Sequence, residues 1–326
     1  LSHIKYFGDI NDIFLLNLFR YFLETVIIDT LSIFLIKKFA IKNKFFSTPP
    51  PSNDGINKIN FFFHNFFIFY DSIYLDNINF MSLVSVIIPY FRKKKFIKET
   101  VNSAINQTYK NLEIIIIYDD TSMEDLDYIK EIEKLDKRII VIINQKSLGA
   151  GHSRNAGIHN SNGEYIAFLD ADDIWKPNKV DEQISFMKKN KFKCSHTSYE
   201  IIKETRESTG FRIARTFYNY KELLKSCDIG LSTVIVENRI FTENCKFPNL
   251  KTKEDFVLWL QILKNQNIFG GIDKKLTYWR DLDNSLSSST IQKLSDGFKV
   301  YRVYMKFNFI KSLYLLLCLS LNYLKK

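Results

Sequence analysis

From Leu83 to Leu169, short apolar runs alternate with segments whose apolar residues recur every three or four positions. Val84-Ser-Val-Ile-Ile-Pro89 is a β-branched run stopped by proline, as expected of a buried strand. Phe96, Ile97, Val101, Ala104 and Ile105 follow at helical spacing. Leu112 to Ile117 is a second buried run, and it ends in Tyr118-Asp-Asp-Thr-Ser122. Thr121 followed by Glu124 fits a capping box, and Leu126, Ile129, Ile132 and Leu135 give the next helix its apolar face. Arg138 to Ile143 predicts a third strand. Gly149-Ala-Gly-His-Ser-Arg-Asn-Ala-Gly157 predicts a turn that starts a helix. Tyr165 to Leu169 then forms a central strand that runs into Asp170, Asp172 and Asp173. Strand and helix alternating at this spacing predict an α/β fold, a mostly parallel central sheet with helices on both faces.

Past Trp175 the pattern loosens. Pro177 suits a first helical position, with Val180, Ile184 and Met187 as that helix's buried face. Cys194 to Ile202 and Ser232 to Val236 read as strands, separated by a polar, Arg-containing segment. A helix is expected from Thr252, burying Phe256, Trp259, Leu260 and Leu263, and Lys275 to Arg280 is expected as the last strand. The chain closes on Lys306, Lys311, the apolar run Ser312 to Leu324, and Lys325-Lys326. That run is shorter than the roughly 20 residues a bilayer span needs. It is either a core-packed terminal helix or a helix lying on a membrane surface, with lysines near acidic headgroups.

Residues 1–80 differ from the rest. They are crowded with Phe, Ile and Asn, begin at Leu1, and precede the first methionine, Met81. Phe14 to Ile36 is apolar but broken by Arg20, Glu24 and Asp29. Each charge costs about 2.5–3.5 kcal/mol at a bilayer centre, which favours an amphipathic surface helix over a span. Ser47-Thr-Pro-Pro-Pro-Ser52 reads as a linker. The expected organisation is an extension over 1–80, either unstructured or not part of the natural protein, a catalytic domain over 81–290, and a helical tail over 291–326.

Composition narrows the partners. The chain of 326 residues carries a net charge of +10, which suits nucleotides or acidic lipid surfaces, or is simply a Lys-rich solvated face. The basic run Arg92-Lys-Lys-Lys95 is short and lacks interleaved aromatics, so nucleic-acid binding is not expected. Cys194, Cys227, Cys245 and Cys318 form no Cys-x-x-Cys pair and no zinc spacing. They read as reduced thiols of a cytoplasmic protein.

Ligands of open parallel sheets bind outside the carboxyl ends of the strands. Pro89-Tyr-Phe-Arg92, Asp119-Asp120 and Asp170-Ala-Asp-Asp173 all fall there, so they should converge on one crevice. If the strand persists, Asp170 and Asp172 share a face. Adjacent carboxylates repel without a cation between them. Magnesium or manganese carrying a diphosphate would supply it, although Asp at a strand end also suits an ordinary turn.

Val84-Ser-Val-Ile-Ile-Pro-Tyr-Phe91, Asn106-Gln-Thr-Tyr-Lys-Asn-Leu-Glu-Ile-Ile-Ile-Ile-Tyr-Asp-Asp-Thr-Ser122, Gly151-His-Ser-Arg-Asn-Ala-Gly157 and Tyr165-Ile-Ala-Phe-Leu-Asp-Ala-Asp-Asp-Ile-Trp175 together resemble glycosyltransferase family 2, in order and in spacing. The resemblance covers about residues 82–290. It implies a GT-A fold and an inverting sugar transfer from a nucleotide-diphosphate donor, usually a uridine diphosphate sugar. It implies that Pro89 and Tyr90 line the nucleoside, that Asp120 with Asp119 holds the uracil, and that Arg154 lies beside the nucleotide. Asp170 would lie near the ribose, and Asp172 would hold a divalent metal, magnesium or manganese, on the diphosphate. In Glu254-Asp255, Asp255 would be the general base, with Trp259 in a position where the family often carries Trp. An Asp in a first helical turn also simply suits the helix dipole. Tyr278-Trp-Arg280 and Asn284-Ser-Leu-Ser287 resemble a late segment of the family, with Arg280 a candidate for the diphosphate.

Two departures mark a subgroup: Tyr90-Phe91-Arg92 after the first proline, and Thr121 where a glycine is usual, which leaves Thr121 to cap the helix. The family's habits imply an acceptor in polysaccharide or lipid-linked glycan synthesis for the cell envelope, reached at the inner face of the membrane. The alternative is a non-catalytic nucleotide- or carbohydrate-binding module on the same fold; Asp172 and Asp255 together weigh against it. A phospho-accepting signalling domain would want a lone Asp on a later strand with a Lys beyond it, and that spacing is absent from the sequence.

Overall fold

Residue 115 and its neighbours explain the middle of the sheet. Every residue of β2 (Leu112–Tyr118) is buried, as are all but Pro89 of β1 (Val84–Tyr90). Strands covered on both faces lose the period-two alternation and read as continuous apolar runs. The computed structural model describes residues 81–265, 268–282 and 290–324, within a unit that spans Asn79–Lys326. The expectations for 1–80, including the helix over 14–36 and the linker, and for Asn284–Ser287 lie outside the described residues.

β1 pairs in parallel with β2, from Val84 opposite Leu112 to Tyr90 opposite Tyr118. On its other side it pairs in parallel with β4 (Tyr165–Phe168). β3 (Ile139–Ile143) extends the parallel set beyond β2. The crossovers are α1 (Lys94–Ile105), α2 (Met123–Glu133) and α3 (Ala150–His159). β5 (Ile174–Trp175) and α4 (Lys179–Asn190) follow. β6 (Cys194–Ile202) has the predicted bounds. The polar segment after it folds into β7 (Ser208–Arg212), β8 (Phe217–Tyr218) and the short α5 (Tyr220–Leu223). β9 (Ile235–Glu237), α6 (Glu254–Lys264) and β10 (Phe269–Arg280) complete the sheet, whose order is β3-β2-β1-β4-β9-β6-β10-β5. β9 runs antiparallel between β4 and β6, while β10 lies parallel to β6. β7 pairs β6, and β8 pairs β10.

The expected helices on both faces are present. α1, α2 and α4 bury Ile97, Val101, Ile129 and Ile184 on one face. α3 and α6 lie on the other, where Phe168, Trp259 and Phe269 form the centre of a second core. α6 buries seven of its residues, from Phe256 to Leu263, so it is enclosed rather than one-sided. The tail is α7 (Thr290–Lys299), a π-helical turn (Val300–Tyr304) and α8 (Phe309–Leu324). Cys194, Cys245 and Cys318 are free thiols.

Several local expectations shift by a residue or two. α2 is capped by Ser122, whose hydroxyl accepts from the Asp125 amide at 3.2 Å, not by Thr121. The Thr121 amide is instead held by the Asp120 carboxylate at 2.7 Å. Pro177 lies outside α4, and its carbonyl accepts from the Thr108 amide. Ser232 sits in a 3-10 turn (Leu231–Thr233), so β9 starts later than predicted. α6 starts at Glu254, after Lys253 adopts a left-handed φ of 62°. β10 is longer than the predicted strand because Phe269 to Ile272 pair alongside Cys194 to Thr197.

Gly157 fixes how closely α3 approaches the sheet. A β-carbon there would fall 2.5 Å from Cγ2 of Ile87, in a core with no room to yield. Gly157→Ala should destabilise the protein by about 1–3 kcal/mol, read as a lower midpoint in urea unfolding. An unchanged midpoint would contradict this packing.

Candidate active site

Because β1 and β2 end level, their carboxyl ends open side by side. The Asp119 amide donates to the Tyr90 carbonyl at 2.9 Å and closes the gap between them. Asp119 also organises the loop between β3 and α3. Its carboxylate accepts from Asn144 Nδ2 (2.6 Å) and from the amides of Leu148 (2.8 Å) and Gly149 (2.7 Å). Gly149 has a φ of 89°, a conformation that glycine adopts at no steric cost. The turn launches α3, so Asp119 sets where that helix begins. Asp120 accepts from the amides of Arg92 (3.1 Å) and Thr121 (2.7 Å). Tyr90 takes another course. Its ring stacks on Tyr118 at 5.5 Å and its hydroxyl donates to Asp125 at 2.5 Å, so the side chain is turned into the core. Pro89 is half-buried at the same strand end.

One turn into α3, Arg154 crosses to the next strand end. Its Nη2 pairs with Asp170 and its Nη1 with Glu254, each at 2.7 Å. The guanidinium is 5% exposed and lies 5.4 Å from the Phe247 ring centroid. Burial works against its charge, but Asp170 and Glu254 outweigh it and raise its pKa. Sequence positions 154, 170 and 254 are thereby held by one side chain.

The acidic segment after β4 is a turn. β4 stops at Phe168, and the Asp173 amide donates back to the Asp170 carbonyl at 3.0 Å. The expected alternation of a continuing strand therefore does not apply. Asp170 faces Arg154, while Asp172 pairs with Lys93 at 2.6 Å. Asp173 is buried and accepts from Ser232 Oγ (2.5 Å) and the Arg280 amide (2.9 Å). Thr100 Oγ1 donates to the carbonyls of Ala171 and Asp173. Arg280 donates from Nε to the Asp172 carbonyl at 2.8 Å and from Nη2 to Glu99 at 2.8 Å. Burial raises the pKa of Asp172 against the pull of Lys93. It raises that of Asp173 further, helped by Asp172 and Asp170.

Asp255 stands half-buried at the start of α6. One carboxylate oxygen accepts from the Phe256 amide at 2.7 Å. Burial first, and the neighbouring Glu254 second, push its pKa up to about 7. The group is thus poised to exchange a proton near neutrality.

Among the described residues, no three His, Cys, Asp or Glu side chains cluster as a metal site. Magnesium and manganese commonly use one or two carboxylates plus substrate phosphates. Asp172 fits that demand: a hard-oxygen ligand whose present partner is a lysine ammonium that an ion would have to displace. Lys93, Glu99 and Ser232 carry no signal in the sequence that marks them for the site. Lys93 sits in a run of three lysines that nothing local distinguishes, and Ser232 reaches Asp173 only through the fold.

A family model described as Glycosyl transferase family 2 matches residues 85–244. WfaP of Escherichia coli, named a UDP-Glc:alpha-D-GlcNAc-diphosphoundecaprenol beta-1,3-glucosyltransferase, is 40% identical over 214 residues, covering 66% of this chain and 83% of that one. TuaG of Bacillus subtilis, a glycosyltransferase assigned to teichuronic acid biosynthesis, is 31% identical over 249 residues, covering 76% of this chain and 98% of that one. Among solved structures, S. aureus TarS 1-349 in complex with UDP-GlcNAc aligns with a TM-score of 0.58 at 18% identity, covering 72% of this chain and 70% of that one. The fold is of the GT-A type.

Removing Arg154 would leave two carboxylates facing each other in a poorly solvated site. Arg154→Met should cost on the order of 3 kcal/mol of stability, measured by urea unfolding. A loss below about 1 kcal/mol would mean that the bridge contributes little.

Proposed function

The chain belongs to glycosyltransferase family 2, and on that premise we propose that it moves a hexose, with inversion, from a uridine diphosphate sugar to a hydroxyl of a lipid-diphosphate-linked glycan. The observation that carries the reading is the Arg154 bridge. It ties Asp170, at the end of a central strand, to Glu254, the neighbour of the half-buried Asp255. A donor-side acid and an acceptor-side base are thereby held in one frame. The donor and the acceptor chemistry follow the name of the E. coli relative WfaP, a UDP-glucose transferase acting on a diphosphoundecaprenol-linked sugar. Such an acceptor implies work at the inner face of a membrane.

In this reading Asp255 accepts the proton of the acceptor hydroxyl as its oxygen attacks the anomeric carbon. The bond from that carbon to the diphosphate breaks, and the leaving group gathers negative charge. Asp120, whose oxygens keep unused lone pairs beside their two amide donors, accepts from the uracil N–H, with Pro89 and the Tyr90 backbone beside the nucleoside. Asp119 acts at one remove, by holding the turn that carries α3. Asp170, fixed by Arg154, meets the ribose. Asp172 would hold a magnesium or manganese ion, which would neutralise the diphosphate charge as it develops. Lys93, which pairs with Asp172 at 2.6 Å, would give up that contact to the ion and add positive charge beside it. Arg280 stays behind this layer, fixing the Asp172 backbone.

Asp255→Asn should leave UDP affinity within about twofold and lower transfer by about 10²–10⁴-fold, measured by calorimetry and by a radiolabelled-sugar assay with a WfaP-type acceptor. Full activity would remove Asp255 from the role of base. A raised carboxyl pKa means the proton-accepting form is lost on acidification. kcat/KM should therefore fall about tenfold per pH unit below about 7 and level off above it, while UDP binding stays flat over the same range. A profile flat down to pH ~5 would rule out a base of this kind. Asp172→Ala, or chelation of divalent ions, should abolish metal-dependent UDP binding; affinity unchanged by both would show that no metal takes part.

A further inference from the structure

Helix α8 is apolar on two faces, and the described residues cover only one. Leu315 and Leu319 are buried against the core that holds Val300 and Tyr301. Ile310, Leu313, Tyr314, Leu317 and Leu321 are 44–79% exposed. Their spacing of three, four, seven and eleven residues from Ile310 places all five on one stripe. Five large apolar side chains at helical spacing exceed the scattered exposure normal for a soluble surface.

Charge decides what could cover the stripe. Residues 290–326 contain seven Lys and Arg and one acidic residue, Asp296. Asp296 is buried, accepts from Thr252 and pairs with Lys299 at 3.1 Å, so within this segment it offsets Lys299 alone. Lys306 is exposed just before α8, and Lys311 lies on the helix itself. A second copy meeting this stripe about a two-fold axis would bring the same basic residues together. An anionic phospholipid surface complements both the stripe and its basic surroundings. The helix has 16 residues, about 24 Å long, against a hydrocarbon core of about 30 Å. No helix among the described residues is long and apolar enough to cross a membrane. α8 can therefore lie in the interface but not span it.

The stripe is also tied to the candidate base. Asp296 on α7 accepts from the amide and the hydroxyl of Thr252, each at 3.1 Å, three residues before Asp255. α7 packs along α8, with Phe298 on Phe309 at 5.6 Å. We infer that the Ile310–Leu321 stripe of α8 is a membrane-docking surface for anionic phospholipid, lying flat among the headgroups and carrying the start of α6 toward them. For its purpose this rests on the lipid-linked-acceptor reading; the binding itself is tested without sugar.

The full chain would be mixed with sedimenting vesicles of phosphatidylcholine, with and without phosphatidylglycerol, beside a Leu313→Ser/Leu317→Ser variant. The unmodified protein should pellet with the anionic vesicles and be released by high salt. The variant should partition at least about tenfold less, with UDP affinity unchanged as the check on its fold. Equal partitioning of both proteins, or no binding by the unmodified protein, would overturn the inference. So would a dimer that the variant abolishes without any vesicle binding, since a second copy would then cover the stripe. Transfer is scored separately on the same preparations; its absence alongside vesicle binding would count against the transferase reading alone.

Discussion

A single buried guanidinium joins the two halves of the site. Arg154 extends from α3 between Asp170 and Glu254, which lie in different parts of the chain. Burying an unpaired arginine is prohibitive, and burying it between two carboxylates is sustainable only if the geometry is kept. The surrounding structure keeps it. Asp119 fixes the turn into α3, Gly157 lets α3 lie close on β1, and Phe247 packs against the guanidinium. Each of these local features acquires its meaning from where it leaves Arg154.

The turn of acidic residues is held from behind in the same manner. Asp173 is the member without access to a ligand, and it accepts from Ser232 and from the end of β10. That arrangement aims Asp170 and Asp172 at different cations, Arg154 and Lys93. Two carboxylates that would repel if left alone are each satisfied on the protein's side. Their free lone pairs remain available to a hydrogen-bond donor or a cation. At the start of α6, burial and the neighbouring Glu254 push the pKa of Asp255 up to about 7, which suits it to take up a proton near neutral pH.

The buried runs of β1, β2 and β4 and the spacing of α1 to α3 were readable because strands covered on both faces and one-sided helices leave plain periodicities. The place of Asp119, Asp120 and Asp170 just past the carboxyl ends of β2 and β4 was readable because those strands end where their apolar runs do. The second half was harder. β9 is a three-residue strand placed between β4 and β6, and its register depends on contacts far away in sequence. Tyr90 read as a nucleoside-lining residue, yet its ring belongs to the core, because strand alternation at β1 was set by packing against Tyr118. Lys93 could not be told from Lys94 and Lys95 without the fold. The stripe on α8 was half legible: composition gave an apolar, basic tail, and only the packing of Leu315 and Leu319 revealed which face is left open.

Arg154 joins the carboxyl end of β4 to the start of α6. A double-mutant cycle on UDP affinity tests it most directly, using Glu254→Gln, Arg154→Met and the two together. Glu254 has no place at the nucleotide in this arrangement, so Glu254→Gln should weaken UDP binding only by loosening Arg154 from Asp170. Its effect should vanish once Arg154 is gone, giving a coupling of about 1–3 kcal/mol. Additive effects, with Glu254→Gln equally damaging in both backgrounds, would contradict the bridge.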